Sequence, residues 1–279
     1  MIFHVDIIKF YKMLEVIKNS QDYIIELYEI IGLFDSAIAI ASYRESLKYW
    51  SEPILINNKS IKYTVEDVYH PLIENAIANS ISENKSVLLT GSNASGKSTF
   101  IKTLAINSIL SQTIYTSISR KYEAPFYQIY TSMALRDSLV SGESYYMVEI
   151  KSLKRIINAK CNDRPILCFV DEVLRGTNTL ERISASSHIL KYIASDNAMC
   201  FAATHDIELT KILSDNYINY HFQEKIMNDD VKFDYKLYLG ETKSRNAINL
   251  LKMIGYKDEI VSKASAMAEK FINEGIWEI

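Results

Sequence analysis

Up to Gly32 the chain has neither proline nor a second glycine, and apolar residues fall at Ile7, Tyr11, Leu14, Ile17, Ile24, Leu27 and Ile31. That spacing predicts a helix. A second helical pattern runs from Leu33 to Leu47. The two read as a helical arm or hairpin, or equally as an amphipathic pair packed on its own domain. After Pro53, positions 54–64 alternate loosely, as a short strand would. His70-Pro71 marks a bend, because the residue before proline is driven out of the helical region. Three continuous apolar runs follow: Ser86–Thr90, Ile166–Val170 and Met199–Ala203. Helical patterns separate them, the first from Lys97 to about Leu110. Such runs predict parallel strands covered on both faces. Later the pattern changes. Val231, Phe233, Tyr235 and Leu237 alternate with Lys232, Asp234 and Lys236, a half-buried strand. Tyr217–Lys225 is its antiparallel partner, turning near Asn228-Asp229-Asp230. Two helices, Ser244–Ile254 and Lys257–Ile272, close the chain. The whole predicts an α/β fold with a mostly parallel sheet flanked by helices. It carries a helical arm over 1–48 and a main domain over 49–279 that ends in an antiparallel hairpin and closing helices.

Composition narrows this picture. Of 279 residues, 48% are hydrophobic, enough for a full core and too many for a disordered chain. Only 8 glycines and 4 prolines occur, which argues against a turn-rich all-β protein. The net charge of −3 gives no global basic character of the kind that advertises nucleic-acid binding. Cys161, Cys168 and Cys200 form no CxxC pair, which excludes a disulfide framework or zinc module. Cys168 lies inside an apolar run and reads as core. No stretch reaches the ~18 apolar residues of a membrane span. The start of the chain lacks the basic-then-apolar order of a secretory signal. A soluble, cytoplasmic protein without a membrane partner is the expectation.

The chemistry begins at Gly91-Ser92-Asn93-Ala94-Ser95-Gly96-Lys97-Ser98, a full match to the Walker A pattern GxxxxGK[ST] between a strand and a helix. Glycines let the backbone turn its N–H groups toward phosphate oxygens, and the helix N-terminus adds positive potential. With ATP bound, Lys97 would bridge the β- and γ-phosphates and Ser98 would ligate Mg²⁺, Thr99 continuing the segment. The second element is the run Ile166–Val170 ending in Asp171-Glu172. A carboxylate at the C-terminal edge of a buried strand sits where open α/β sheets bind ligands. Asp171 is the expected metal ligand and Glu172 the group that orients or deprotonates water. Thr204-His205 follows the Met199–Ala203 run, and His205 is expected near the γ-phosphate or the attacking water. Ser144, in Ser141-Gly142-Glu143-Ser144, suits an N-cap for the helical run that follows. Asn178, with Glu181 three residues on, forms a capping-box pattern.

The order of these segments, GSNASGKST, SGESYYMVEI, VDEVLRGTNT and ATHDIELT, resembles the ATPase domain of the MutS family within the ABC ATPase superfamily. Ser144–Ile150 is similar to its signature segment and Arg175-Gly176-Thr177-Asn178-Thr179 to its loop after the acidic pair. His70-Pro71 resembles the opening of that domain. Gln128 falls where ABC proteins carry the Q-loop. The resemblance covers about 25–272. It implies a P-loop ATPase that pairs with a second copy, Ser144 of one chain reaching the γ-phosphate held by the other, while Gln128 and His205 couple to that phosphate. Leu174, Leu180-Glu181-Arg182 and Tyr145 depart from the family pattern and point to a divergent branch. Mismatch-reading and clamp regions of the family have no counterpart in this length, so the arm reads as a stub of the core or lever region. DNA is then a partner of a complete family member more than of this chain alone. The cations Lys151, Lys154, Arg155 and Lys160 read as a solvated helix face or a phosphate-binding one. The reading that competes with an ATPase is a nucleotide-binding interaction module with negligible turnover.

Overall fold

In the computed structural model, the described residues are 4–57, 61–92, 95–133, 145–159, 164–194, 197–227, 230–242, 248, 251 and 254–275. The chain divides into two units, Met1–Lys48 and Tyr49–Ile279. The first holds two helices, α1 (Val5–Asn19) and α2 (Gln21–Ser46), and neither has a buried residue. The break falls at Ser20, not at Gly32, which α2 runs straight through. A single helical glycine costs only about 1 kcal/mol. Asn19 and Ser20 both compete with the helical backbone for hydrogen bonds, so together they end a helix more effectively.

Among its described residues, the second unit holds two sheets. The smaller runs in the order β1-β5-β2-β3, with β1 at Ile54–Ile56, β2 at Tyr63–Val68, β3 at Asn79–Glu83 and β5 at Lys121–Pro125. The sequence pattern foresees only a short strand here. The larger sheet has the order β10-β9-β4-β8-β7-β6. Its members are β4 (Ser86–Thr90), β6 (Gln128–Ser132), β7 (Ile166–Asp171), β8 (Ala198–Ala203), β9 (Tyr217–Met227) and β10 (Asp230–Leu239). All pairs are parallel except β9 with β10, the antiparallel hairpin.

Alternation within fully apolar strands feeds two cores. Ile166, Cys168 and Val170 with Ala198, Cys200 and Ala202 face Leu153 and Ile156 of α4 (Tyr145–Ala159) and Leu190 and Ile193 of α5 (Thr179–Ile193). Phe169 and Phe201 point the other way and stack at 5.6 Å. On that side α3 (Lys97–Thr113) packs against β6, β7 and β8. Tyr63 of β2 meets Phe201 edge-on at 5.1 Å and donates to the Leu104 carbonyl at 3.3 Å, tying the small sheet to α3. Cys168 and Cys200 are buried, and neither is in a disulfide. A short helix, α6 (Glu208–Ile212), follows β8, and α7 (Asp258–Glu274) ends at Gly275 in the left-handed region. The helix expected over Ser244–Ile254 lies largely outside the described residues, as do Cys161, Lys160 and the Asn228-Asp229 turn. Among the described residues, no helix is long and apolar enough to cross a membrane.

Candidate functional site

Three parallel strands, β4, β7 and β8, release their C-terminal residues at one edge of the large sheet. β4 ends at Thr90 and enters the loop to α3. Gly91 has φ +141°, and a Cβ there would lie 2.7 Å from the Phe222 carbonyl oxygen of β9. Gly96 has φ +109° and caps α3. Both positions need the freedom of glycine. Gly91→Ala is therefore expected to destabilise the fold by about 1–3 kcal/mol, the typical range for a strained backbone site. Thermal unfolding checks this, and an unchanged melting temperature contradicts the close approach. Within the loop, Asn93 and Ala94 lie outside the described residues. Ser95 is buried, and Ser92 donates its hydroxyl to Glu224 of β9.

Lys97 is only 4% exposed. Its Nζ donates to the carbonyls of Gly91 at 2.6 Å and Ser92 at 2.8 Å, clamping the loop on the start of α3. Burial pushes its ammonium pKa down to about 8, against the opposing pull of the Asp171 and Glu224 carboxylates. Ser98 Oγ donates to Asp171 Oδ1 at 3.0 Å, joining the glycine loop to the end of β7. Thr99 lines the cleft alongside.

Glu172 follows with φ +59°, and its N–H is held by the Ala203 carbonyl of β8 at 3.0 Å. Its carboxylate forms an ion pair with Arg175 and lies 2.9 Å from His205 Nε2. Burial, then Lys97 and Arg175, lower the His205 pKa below its ordinary 6.5, with Asp206 and Asp171 opposing. His205 follows Thr204, whose N–H reaches the Leu89 carbonyl of β4 at 2.9 Å. Beyond it, Asp206 takes a two-pronged bond from Arg182 at 2.8 and 2.6 Å, fixing this loop on α5. Asn178 caps α5 by accepting the Glu181 N–H at 3.0 Å, while Glu181 reaches back to the Thr177 hydroxyl at 2.9 Å.

The structure thus brings together Lys97, Ser98, Asp171, Glu172 and His205. It does not bring Gln128. That residue opens β6 opposite Ile166, the first residue of β7, whereas Asp171 is the last. At about 3.3 Å per residue, the strand carries Gln128 to the opposite edge of the sheet. The end of β6 that reaches the site is Ser132, opposite Val170. Ser144 lies outside the described residues, and α4 is described from Tyr145. Lys151, Lys154 and Arg155 are exposed, and Arg155 donates to the Thr131 carbonyl at 3.1 Å.

A cleft of about 620 Å³ opens beside the loop. Sequence reasoning missed its far wall. Asn79 binds the Tyr235 carbonyl through Nδ2 at 3.0 Å and the Leu237 N–H through Oδ1 at 2.8 Å, seating the aromatic ring of Tyr235 at the cleft. No local pattern marks a pairing between residues 156 positions apart. Glu149, buried on α4, was also missed; its position within a long amphipathic helix gives no hint that it reaches Leu174.

A family profile described as MutS domain V matches residues 87–272, two-thirds of the chain. The chain belongs to the MutS family. It is 29% identical to the DNA mismatch repair protein MSH3 of Meyerozyma guilliermondii over 93% of its own length and 29% of that protein's. Against the DNA mismatch repair protein MutS of Leptospira interrogans it is 29% identical, covering 93% of this chain and 32% of the relative. The MutS protein of Petrotoga mobilis gives 29% identity, 94% and 33%. This MutS-family chain therefore spans about a third of the length of the curated relatives it matches. The matched profile holds the glycine loop, Asp171, Glu172 and His205, while α1, α2 and the strands β1 to β3 precede it.

Proposed function

We propose that this chain binds ATP with Mg²⁺ beside the Gly91–Ser98 loop and hydrolyses it, in a site completed by a second copy of the chain in a nucleotide-dependent homodimer. The observation that carries this reading is the Ser98–Asp171 hydrogen bond, which joins the Gly91–Ser98 loop to the end of β7. A helix N-terminus, a glycine-rich turn and a buried lysine form a seat for a polyphosphate. The Ser98 hydroxyl and Asp171 carboxylate are oxygen donors suited to a hard cation that keeps waters and takes phosphate oxygens. Among the described residues no larger cluster of acidic, His or Cys side chains competes for a metal. Ser98 and Asp171 would hold Mg²⁺ there, and the ion would supply positive charge to offset that of the phosphates. Glu172 accepts the proton of the attacking water, and His205 holds it in place. Tyr235 and Asn79 form the wall of the cleft against which the base would lie.

Phosphate release from ATP, with Mg²⁺ and with EDTA, tests this across about pH 5 to 9. His205 is uncharged at neutrality because its pKa is depressed. It gains a proton only as pH falls below 6.5. The expected result is Mg²⁺-dependent release that holds from neutrality down to about 6.5 and declines below it. Release in EDTA, or an acid limb centred above 6.5, contradicts the assignment.

One observation favours a second reading, a nucleotide-binding module with little turnover. The Glu172 carboxylate is engaged by both Arg175 and His205, leaving less of it free for water. The names of the relatives, DNA mismatch repair proteins, support a role in DNA repair.

A further inference from the structure

Glu149 lies in the second turn of α4 with 2% exposure. Its Oε1 accepts the Leu174 N–H at 2.5 Å, across 25 residues of sequence. Its Oε2 has no hydrogen-bond partner among the described residues. Burial raises the pKa of this carboxyl, while the nearby Leu174 and Arg175 amides oppose the shift. A buried carboxyl is costly and persists where it satisfies something specific.

What it satisfies is a strained turn. Glu172 and Leu174 both take positive φ, +59° and +57°, although neither is glycine. Such backbone persists only when its surroundings hold it there. The same turn meets α4 a second time, because a Cβ on Gly176 would sit 3.0 Å from the Cβ of Tyr146. Helix α4 thus grips the turn at Leu174 and supports it at Gly176. Between these points and the end of β7 stands Glu172.

We infer that Glu149 is a positioning residue: its bond to the Leu174 amide holds the 172–176 turn so that the Glu172 carboxylate faces the attacking water. The inference rests on the ATPase reading for its consequence, but not for its geometry. It makes hydrolysis depend on how α4 is seated, so a second chain docking near the start of α4 would bear on Glu172 through Glu149. No covalent chemistry is assigned to Glu149.

The test compares wild type with Glu149→Gln, Glu149→Asp and Glu149→Ala in the full 279-residue chain. Hydrogen exchange is read at the Leu174 and Arg175 amides, with kcat and KM for ATP and the stoichiometry of fluorescent ATP-analogue binding. Gln keeps the reach and the acceptor oxygen, whereas Asp keeps the charge and loses the reach. The expected order is therefore Gln close to wild type and Asp similar to Ala. Glu149→Ala should exchange those amides at least tenfold faster and lose at least tenfold in kcat, with KM within twofold and full binding stoichiometry. Should the Ala variant not fold, the Gln and Asp pair carries the comparison. Unchanged exchange in the Ala or Asp variant, Asp outperforming Gln, or activity lost only in proportion to binding overturns the inference. A wild type that binds the analogue without turnover defeats the hydrolysis reading alone, and the exchange data still decide the role of Glu149.

Discussion

Glu172→Gln is expected to leave ATP binding intact and to lower its turnover by at least a hundredfold. General-base catalysis contributes about 10²–10⁴-fold, and an amide cannot take the proton. The substitution keeps size and hydrogen bonding at a position whose backbone is already fixed, by the bond to Ala203 and the positive φ. Lys97, Ser98 and Asp171, which would hold phosphate and metal, are untouched. Removing one negative charge beside Lys97 and Arg175 also favours an anionic ligand. Binding should therefore be equal or tighter while release of phosphate stops. Equilibrium binding of a fluorescent ATP analogue and single-turnover phosphate release separate the two effects. Turnover equal to wild type would remove Glu172 from catalysis and favour the reading of a binding module.

The second large effect is expected from Lys97→Ala, which should weaken ATP binding by roughly a hundredfold. Hydrogen bonds to charged groups contribute about 1.5–3 kcal/mol each, and the ammonium would bridge two phosphates. Stability should behave differently. An ammonium that is 4% exposed, with its pKa pushed down to about 8, is a burden on the fold. The unfolded chain holds that proton more tightly than the folded chain, so at neutral pH the burden is fully present. Alanine removes the burden but also the two bonds to the Gly91 and Ser92 carbonyls. A melting temperature close to wild type with binding lost is the expected pair of results. This is the pattern of a residue kept for function at the expense of stability. Binding that survives the substitution would place the phosphate elsewhere.

The elements that carry the site were legible because of how they are buried. β4, β7 and β8 are covered on both faces, so they read as continuous apolar runs, and the residues at their ends name the chemistry. The hairpin β9–β10 showed through alternation, although its register shifts between Phe233 and Leu237 and leaves Tyr235 exposed. Other features depend on distance or direction. Gln128 falls where the family resemblance expects a Q-loop, but a strand has two ends. Its pairing with Ile166 puts this glutamine at the wrong one. The small sheet needs the parallel pairing of Ile54 with Glu123, which no local pattern encodes. Glu149 and Asn79 act across chain separations of 25 and more than 150 residues. The arm was misdivided because Gly32 looked like a break, while the weaker but paired signal of Asn19 and Ser20 was decisive.

The central claim is an ATPase site completed by a second chain. The most direct measurement is steady-state ATP hydrolysis per chain against protein concentration, with Mg²⁺ and with Lys97→Ala as the blank. The account predicts a rate per chain that climbs with concentration toward a plateau and vanishes in the blank. A rate per chain that is constant from concentrations at which the protein sediments as a monomer upward would contradict it.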